Sequence, residues 1–203
     1  MKRKYNSKSR QQQSQATQLK ILEAARYLFS EEGIKKSTIN KIAQKADVAP
    51  PTIYALFKSK AGIISQLGQT FVFGESYLNL VKKSIQQADA RESLKLAPII
   101  TVAIFEMEME QMPFLWDDAS ITSELQDLIS QLENQRYERQ RFILDRLYEQ
   151  EYLAPGLTVS AARDILWALT GREVFKKMVI EKGWSHSSYK KWLEGTLSTL
   201  LLQ

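Results

Sequence analysis

Ser37-Thr38-Ile39-Asn40-Lys41-Ile42-Ala43-Gln44-Lys45-Ala46-Asp47-Val48-Ala49-Pro50-Pro51-Thr52-Ile53-Tyr54-Ala55-Leu56-Phe57-Lys58-Ser59-Lys60 is the stretch that decides the fold. It predicts a helix, a tight turn, a second short helix opening on a pair of prolines, and a basic exit. Ile39, Ile42, Ala43 and Ala46 share one helical face, and Val48, Ile53, Leu56 and Phe57 can pack against it. Ala43 is small enough to let two short helices approach closely. Two such helices cannot bury enough surface alone, and residues 17–31 supply a third. Ile21, Leu22, Ala25, Leu28 and Phe29 form its stripe, and Gly33 is placed to end it. This is the layout of a helix-turn-helix, which sets its second helix in the DNA major groove.

Charge divides along the chain in the same sense. Residues 1–66 hold 13 lysines and arginines against 4 acidic residues, and residues 67–203 hold 15 against 19. The balance of +9 on the helix-turn-helix side is the electrostatic footprint of phosphate binding. The balance of −4 on the remainder argues against a general polyanion binder.

Residues 1–16 are basic and glutamine-rich, with Lys2, Arg3, Lys4, Lys8 and Arg10, and read as a flexible arm. A functional version of that arm adds phosphate or minor-groove contacts. The expected boundaries are 1–16 for the arm, 17–62 for the DNA-binding domain and 63–203 for a helical second domain. After Lys60 helices are predicted near 61–84, 92–110, 119–150, 158–181 and 187–201, with breaks at Pro113, Pro155-Gly156 and Gly183. No alternating strand pattern and no internal repeat occurs, so the expected class is all-α.

Linked features over residues 17–67 resemble the TetR/AcrR type of transcriptional regulator. They are Ala24-Ala25-Arg26-Tyr27-Leu28-Phe29 before Glu32-Gly33, then Ser37-Thr38-Ile39, Ile42-Ala43 and Ala46-Asp47-Val48. Thr52-Ile53-Tyr54, Phe57-Lys58-Ser59-Lys60 and Ile63-Ile64 complete the series. Beyond residue 67 the likeness is loose, apart from Leu166–Thr170 and Gly183-Trp184-Ser185. The resemblance implies a three-helix DNA-binding domain followed by a helical bundle for ligand binding and dimerisation. It also implies a homodimer on an inverted-repeat operator of double-stranded DNA, most often as a repressor, and a small-molecule effector.

The expected DNA-facing residues are Thr38, Lys41, Ala49, Pro50, Pro51, Thr52, Tyr54, Ala55, Lys58 and Lys60. Thr38 is placed to cap the first motif helix. Lys41 stands where a capping box would carry an acid, which opposes the helix dipole by roughly 0.3–1 kcal/mol and suits a nearby phosphate. Ala49 takes the place of the family's usual serine cap. Pro50 and Pro51 then start the recognition helix by stiffness and offer their rings to a thymine methyl. The resemblance makes Tyr54, Lys58 and Lys60 phosphate contacts, which set register rather than sequence. None of these residues can make an arginine–guanine fork, so readout is expected from methyl contacts and DNA shape.

The second domain has an aromatic and methionine set that can line an effector site: Phe71, Phe73, Tyr77, Phe105, Met109, Met112, Phe114, Trp116, Tyr137 and Phe142. Glu106, Glu108 and Glu110 read as a solvated face, and would attract a cation only if Glu106 and Glu110 turned inward. Trp192, Leu193, Leu197, Leu200 and Leu201 form the last helix's apolar stripe, the expected dimer surface.

Absent chemistry narrows the rest. There is no cysteine, and His186 is the sole histidine, so a typical zinc site is not expected. No phosphate loop, nucleophile elbow or metalloprotease motif occurs, and the chain is expected not to be an enzyme and to need no cofactor. No apolar run approaches the length of a membrane span, which points to a cytoplasmic protein without a membrane partner. The competing expectation is an effector-independent DNA-binding regulator whose second domain serves dimerisation or protein contacts.

Overall fold

The computed structural model describes residues 7–72, 75–117 and 122–203. Among these the fold is all-helical; the one β feature is an antiparallel bridge between Leu153 and Leu202. No described helix is long and apolar enough to cross a membrane. The chain divides into two compact units. The first runs to Phe71 and takes in Met109–Leu128; the second holds Val72–Glu108 and Ile129–Gln203.

In the first unit, α1 spans Ser7–Glu32, α2 Ile39–Ala46, α3 Pro50–Phe57 and α4 Lys60–Leu67, the last running on as a wider π turn over Gly68–Val72. The stripe predicted on α1 is its core face, with Ile21, Leu22, Ala25, Leu28 and Phe29 all buried. Ile42, Ala43 and Ala46 of α2 and Ile53 and Phe57 of α3 meet it there. Residues 7–16, expected as an arm, form the opening turns of α1. Neither glycine nor proline interrupts 7–32, so helix propensity carries the helix beyond its buried stripe, and residues 10–16 are exposed. Residues 1–6 of the arm lie outside the described residues.

The boundary expected after residue 62 also moves. Ile63, Ile64 and Leu67 of α4 are fully buried, which makes α4 part of the helix-turn-helix core. Residues 109–128 belong to the same unit for a packing reason: Phe29 meets Phe114 edge-on at 5.6 Å, and Arg26 donates to Gln111 Oε1 at 3.0 Å.

In the second unit, α5 spans Glu75–Ile85, α6 Ala90–Lys95, α7 Ala97–Gln111 (to Glu108 in this unit) and α8 Ser123–Glu149 (from Ile129). Then come α9 Val159–Leu169, α10 Arg172–Phe175, a π turn over Lys176–Glu181, and α11 His186–Leu201. The helix expected over 92–110 is two helices parted at Leu96, because Pro98 in the first turn of α7 cannot continue a preceding helix. The helix expected over 158–181 breaks at Thr170-Gly171. There the Thr170 hydroxyl donates back to the Leu166 carbonyl at 2.6 Å.

Candidate nucleic-acid interface and effector cavity

The start of α2 is built as its sequence requires: Thr38 Oγ1 accepts the Lys41 amide at 3.3 Å. Asp47 ends it at φ 52, and its amide donates to the Gln44 carbonyl. At Ala49, α3 opens without a side-chain cap, with Pro50 and Pro51 in its first turn. Burying Ile53 and Phe57 turns Pro51, Tyr54 and Ala55 outward, with Thr52 partly exposed beside them and Tyr54 54% exposed. These residues form one continuous outer face on the recognition helix. Lys58 follows at φ 65, its amide on the Tyr54 carbonyl at 3.0 Å, and is exposed at the end of that face.

Two expected phosphate contacts are tied into the protein. The Lys41 ammonium pairs with Glu32 at the surface, where both side chains remain partly exposed. Lys60 donates from Nζ to the Ile34 carbonyl at 2.9 Å. Sequence reasoning also passed over two neighbours of the recognition face. Ser14 and Thr17, one helical turn apart on α1, share a groove with Pro51, Thr52, Ala55 and Leu56. No local motif marks them, since their place depends on how α1 crosses α3.

The cavity lies wholly within the second unit. It has a volume of about 330 Å³ and is walled by α5, α7, α8, Leu166 of α9 and Thr170. Tyr77, Phe105 and Phe142 of the predicted aromatic set line it, with Val81, Ile85, Ile100, Ile104 and Ile143 between them. Arg136, Arg139, Gln140 and Thr170 are its polar wall. Arg139 donates to the Tyr77 hydroxyl at 2.5 Å, and Arg136 donates to Thr170 Oγ1 at 2.6 Å.

The remaining predicted lining residues are elsewhere. Phe71, Met109, Met112 and Trp116 belong to the first unit, where Met112 is fully buried and Arg26 stands 5.2 Å over the Phe71 ring. Phe114 packs on Phe29 there, and Phe73 lies outside the described residues. Tyr137 faces α9: its hydroxyl donates to Asp164 at 2.8 Å and Arg163 covers its ring at 3.7 Å. A buried aromatic at helical spacing has no mark that separates a cavity wall from ordinary core.

The acidic run on α7 is also corrected. Glu108 is buried and forms an ion pair with Arg172 at 2.6 Å, while Glu106 meets His186 Nδ1 at 2.5 Å. Burial pushes the Glu108 carboxyl above the usual carboxylate range, against the pull of the Arg172 guanidinium.

On α11 the predicted stripe splits. Leu193, Leu197 and Leu201 are fully buried in their own subunit, beside Tyr189, and are not available to a partner. Trp192 and Leu200 lie on the other face, which forms a shallow groove with Trp184, Gly195, Thr196 and Thr199. Leu200 is 46% exposed. The stripe is wide enough that one side meets the core and the other does not.

Comparison with known proteins agrees with this geometry. Residues 21–67 match the family model of bacterial regulatory proteins, tetR family. The Probable HTH-type transcriptional regulator YttP of Bacillus subtilis (strain 168) is 28% identical over 142 residues, 68% of either chain. Among solved structures, NalD, the secondary repressor of the MexAB-OprM multidrug efflux pump in Pseudomonas aeruginosa, is 20% identical with a TM-score of 0.69. That match covers 95% of this chain and 98% of NalD. SmeT in complex with triclosan is 17% identical with a TM-score of 0.71, over 93% of this chain and 92% of SmeT. Residues 21–67 thus carry the DNA-binding segment of the tetR family of bacterial regulatory proteins, and the chain shares the fold of these solved regulators.

Proposed function

We propose that this chain is a ligand-responsive repressor, working as a homodimer on an inverted-repeat operator in the cytoplasm. The observation that carries this reading is the division of labour on α3. Its buried edge, Ile53 and Phe57, holds the helix, and Pro51, Thr52, Tyr54 and Ala55 are left for the major groove. Pro51 and Ala55 offer apolar contact to thymine methyls, and Thr52 and Tyr54 offer hydroxyls. Lys58 and Lys60 hold the backbone, with Lys60 also steadying the start of α4. Ser14 and Thr17 extend the face along α1.

The outer face of α11, around Trp192 and Leu200, is the dimer surface in this reading, and two-fold pairing is the commonest oligomer. A dimer sets two recognition helices on half-sites about 34 Å apart or a multiple of it. The cavity in the second unit is the effector site, as the solved SmeT–triclosan complex encourages. Both α7 and α8 line that cavity and also contribute residues to the DNA-binding unit, so they are the elements through which a ligand would act. A ligand switches the protein only by binding one spacing of the two DNA-binding units better than the other.

Selection of bound fragments from random and genomic DNA, at physiological salt with competitor, tests the reading. One recovered inverted repeat is the expected result. Enrichment without a shared motif would leave a sequence-indifferent DNA binder and remove the operator from the account.

A further inference from the structure

Thr170 decides how the cavity presents its polar wall. Its hydroxyl donates to the Leu166 carbonyl at 2.6 Å, which leaves the oxygen able only to accept. Two cavity-lining side chains of α8 donate to that oxygen, Arg136 at 2.6 Å and the Gln140 amide nitrogen at 2.8 Å. The Gln140 amide therefore cannot be reversed, because its carbonyl would then face an oxygen with no proton to share. Gln140 Oε1 is turned away from Thr170, is buried, and meets no hydrogen-bond partner among the described residues. Arg136 Nε, one turn earlier on the same helix, is likewise buried without a partner among them. One open acceptor and one open donor thus belong to a single wall.

The other polar groups of the wall are engaged by the protein. Ser84 donates to the Ser93 carbonyl at 3.4 Å and Thr101 to the Ala97 carbonyl at 2.8 Å. Arg136 pairs with Glu133, and Glu138 pairs with Arg163 at 2.8 Å. Arg139 donates to the Tyr77 hydroxyl at 2.5 Å and to Gln135 Oε1 at 3.2 Å. An ion of either sign would compete with these bonds, whereas a neutral ligand leaves them in place. The cavity also has a direction. Thr170 and Leu166 are buried at its inner end, and Ile85 and Phe142 are exposed at its mouth.

We propose that the effector is a neutral amphipathic molecule, a hydroxyl carried on an apolar body. A hydroxyl is the smallest neutral group that both donates and accepts, so it donates to Gln140 Oε1 and accepts from Arg136 Nε. The apolar body lies along Ile100, Ile104 and Ile143 and covers Ile85 and Phe142 at the mouth. A ligand that cannot donate leaves Gln140 Oε1 buried and unpaired, and the site rejects it on that account. This rests on reading the cavity as the effector site. The volume of about 330 Å³ falls at the small end of ligand pockets, which suits a medium-length chain or a compact ring system.

Four probes built on one apolar chain separate the possibilities: octanol, octyl methyl ether, octanoate and octyltrimethylammonium, each below its solubility or micelle limit. Titrated into the full-length chain, with calorimetry and melting temperature as readouts, octanol should bind best, about tenfold more tightly than its methyl ether. Gln140→Leu should bring octanol down to the affinity of the ether and leave the ether unchanged. The probe series on the parent chain needs no variant, so it decides the matter even where Gln140→Leu fails to fold. An ether bound as tightly as octanol, either ion bound more tightly, or an octanol affinity indifferent to Gln140→Leu overturns the hydroxyl class while leaving an effector cavity. Failure of all four probes to bind overturns the effector reading together with this one.

Discussion

The Lys60 ammonium donates to the carbonyl of Ile34 at 2.9 Å, joining the first turn of α4 to the segment between α1 and α2. That bond gives Lys60 a structural duty beside the DNA contact proposed for it. Lys60→Ala should lower stability by about 1 kcal/mol, the ordinary worth of such a bond. It should also weaken operator and scrambled DNA by the same factor. A urea melt measures the first effect and paired affinity titrations the second; a change in base preference would assign Lys60 a reading role.

Gly62 has no room for a side chain. A Cβ there would fall far inside contact with the backbone carbonyl of Phe57, which neither side chain motion nor a rotamer change can relieve. Gly62→Ala should cost about 1–3 kcal/mol, as overpacking does, and should shift the end of α3. The expected readout is a lowered melting temperature together with weaker operator binding.

Two leucines three residues apart on α11 should behave oppositely. Leu197→Ala removes a fully buried side chain and should cost about 2–5 kcal/mol of stability. Leu200→Glu, on the half-exposed face, should leave the helical spectrum and melting of the chain nearly intact and produce monomers in light scattering. A Leu200→Glu protein that remains dimeric would move the interface away from this face.

The buried Glu108–Arg172 pair should make stability depend on pH once it is broken. Arg172→Met leaves a buried carboxylate without its partner and should cost about 3–5 kcal/mol at neutral pH. Burial raises the Glu108 carboxyl above its ordinary value of 4.5, and losing the guanidinium raises it further. In the window between that ordinary value and the raised one, the folded state holds a proton that the unfolded state has released. Stability of the variant therefore rises as pH falls through the window, and the deficit against the parent protein shrinks. Denaturant melts at acidic and neutral pH measure it; a deficit independent of pH would mean that Glu108 keeps its charge.

The helix-turn-helix is legible in the chain before any packing is known. Its information is local: an apolar period of one face, a threonine cap at Thr38, prolines at 50 and 51, and glycine at 33 act within a few residues of each other. The outer face of α3 followed from knowing which edge is buried. Packing between distant segments sets which aromatics wall the cavity, that Glu108 rather than its neighbours is buried, and that Leu193, Leu197 and Leu201 turn inward while Leu200 does not. The pairing of Lys60 with Ile34, and of Ser14 and Thr17 with the recognition helix, belongs to the same class. The physical reason is common to all of them. Helical periodicity states that a residue lies on an apolar face, but what meets that face depends on packing between segments distant in the chain, which periodicity does not encode.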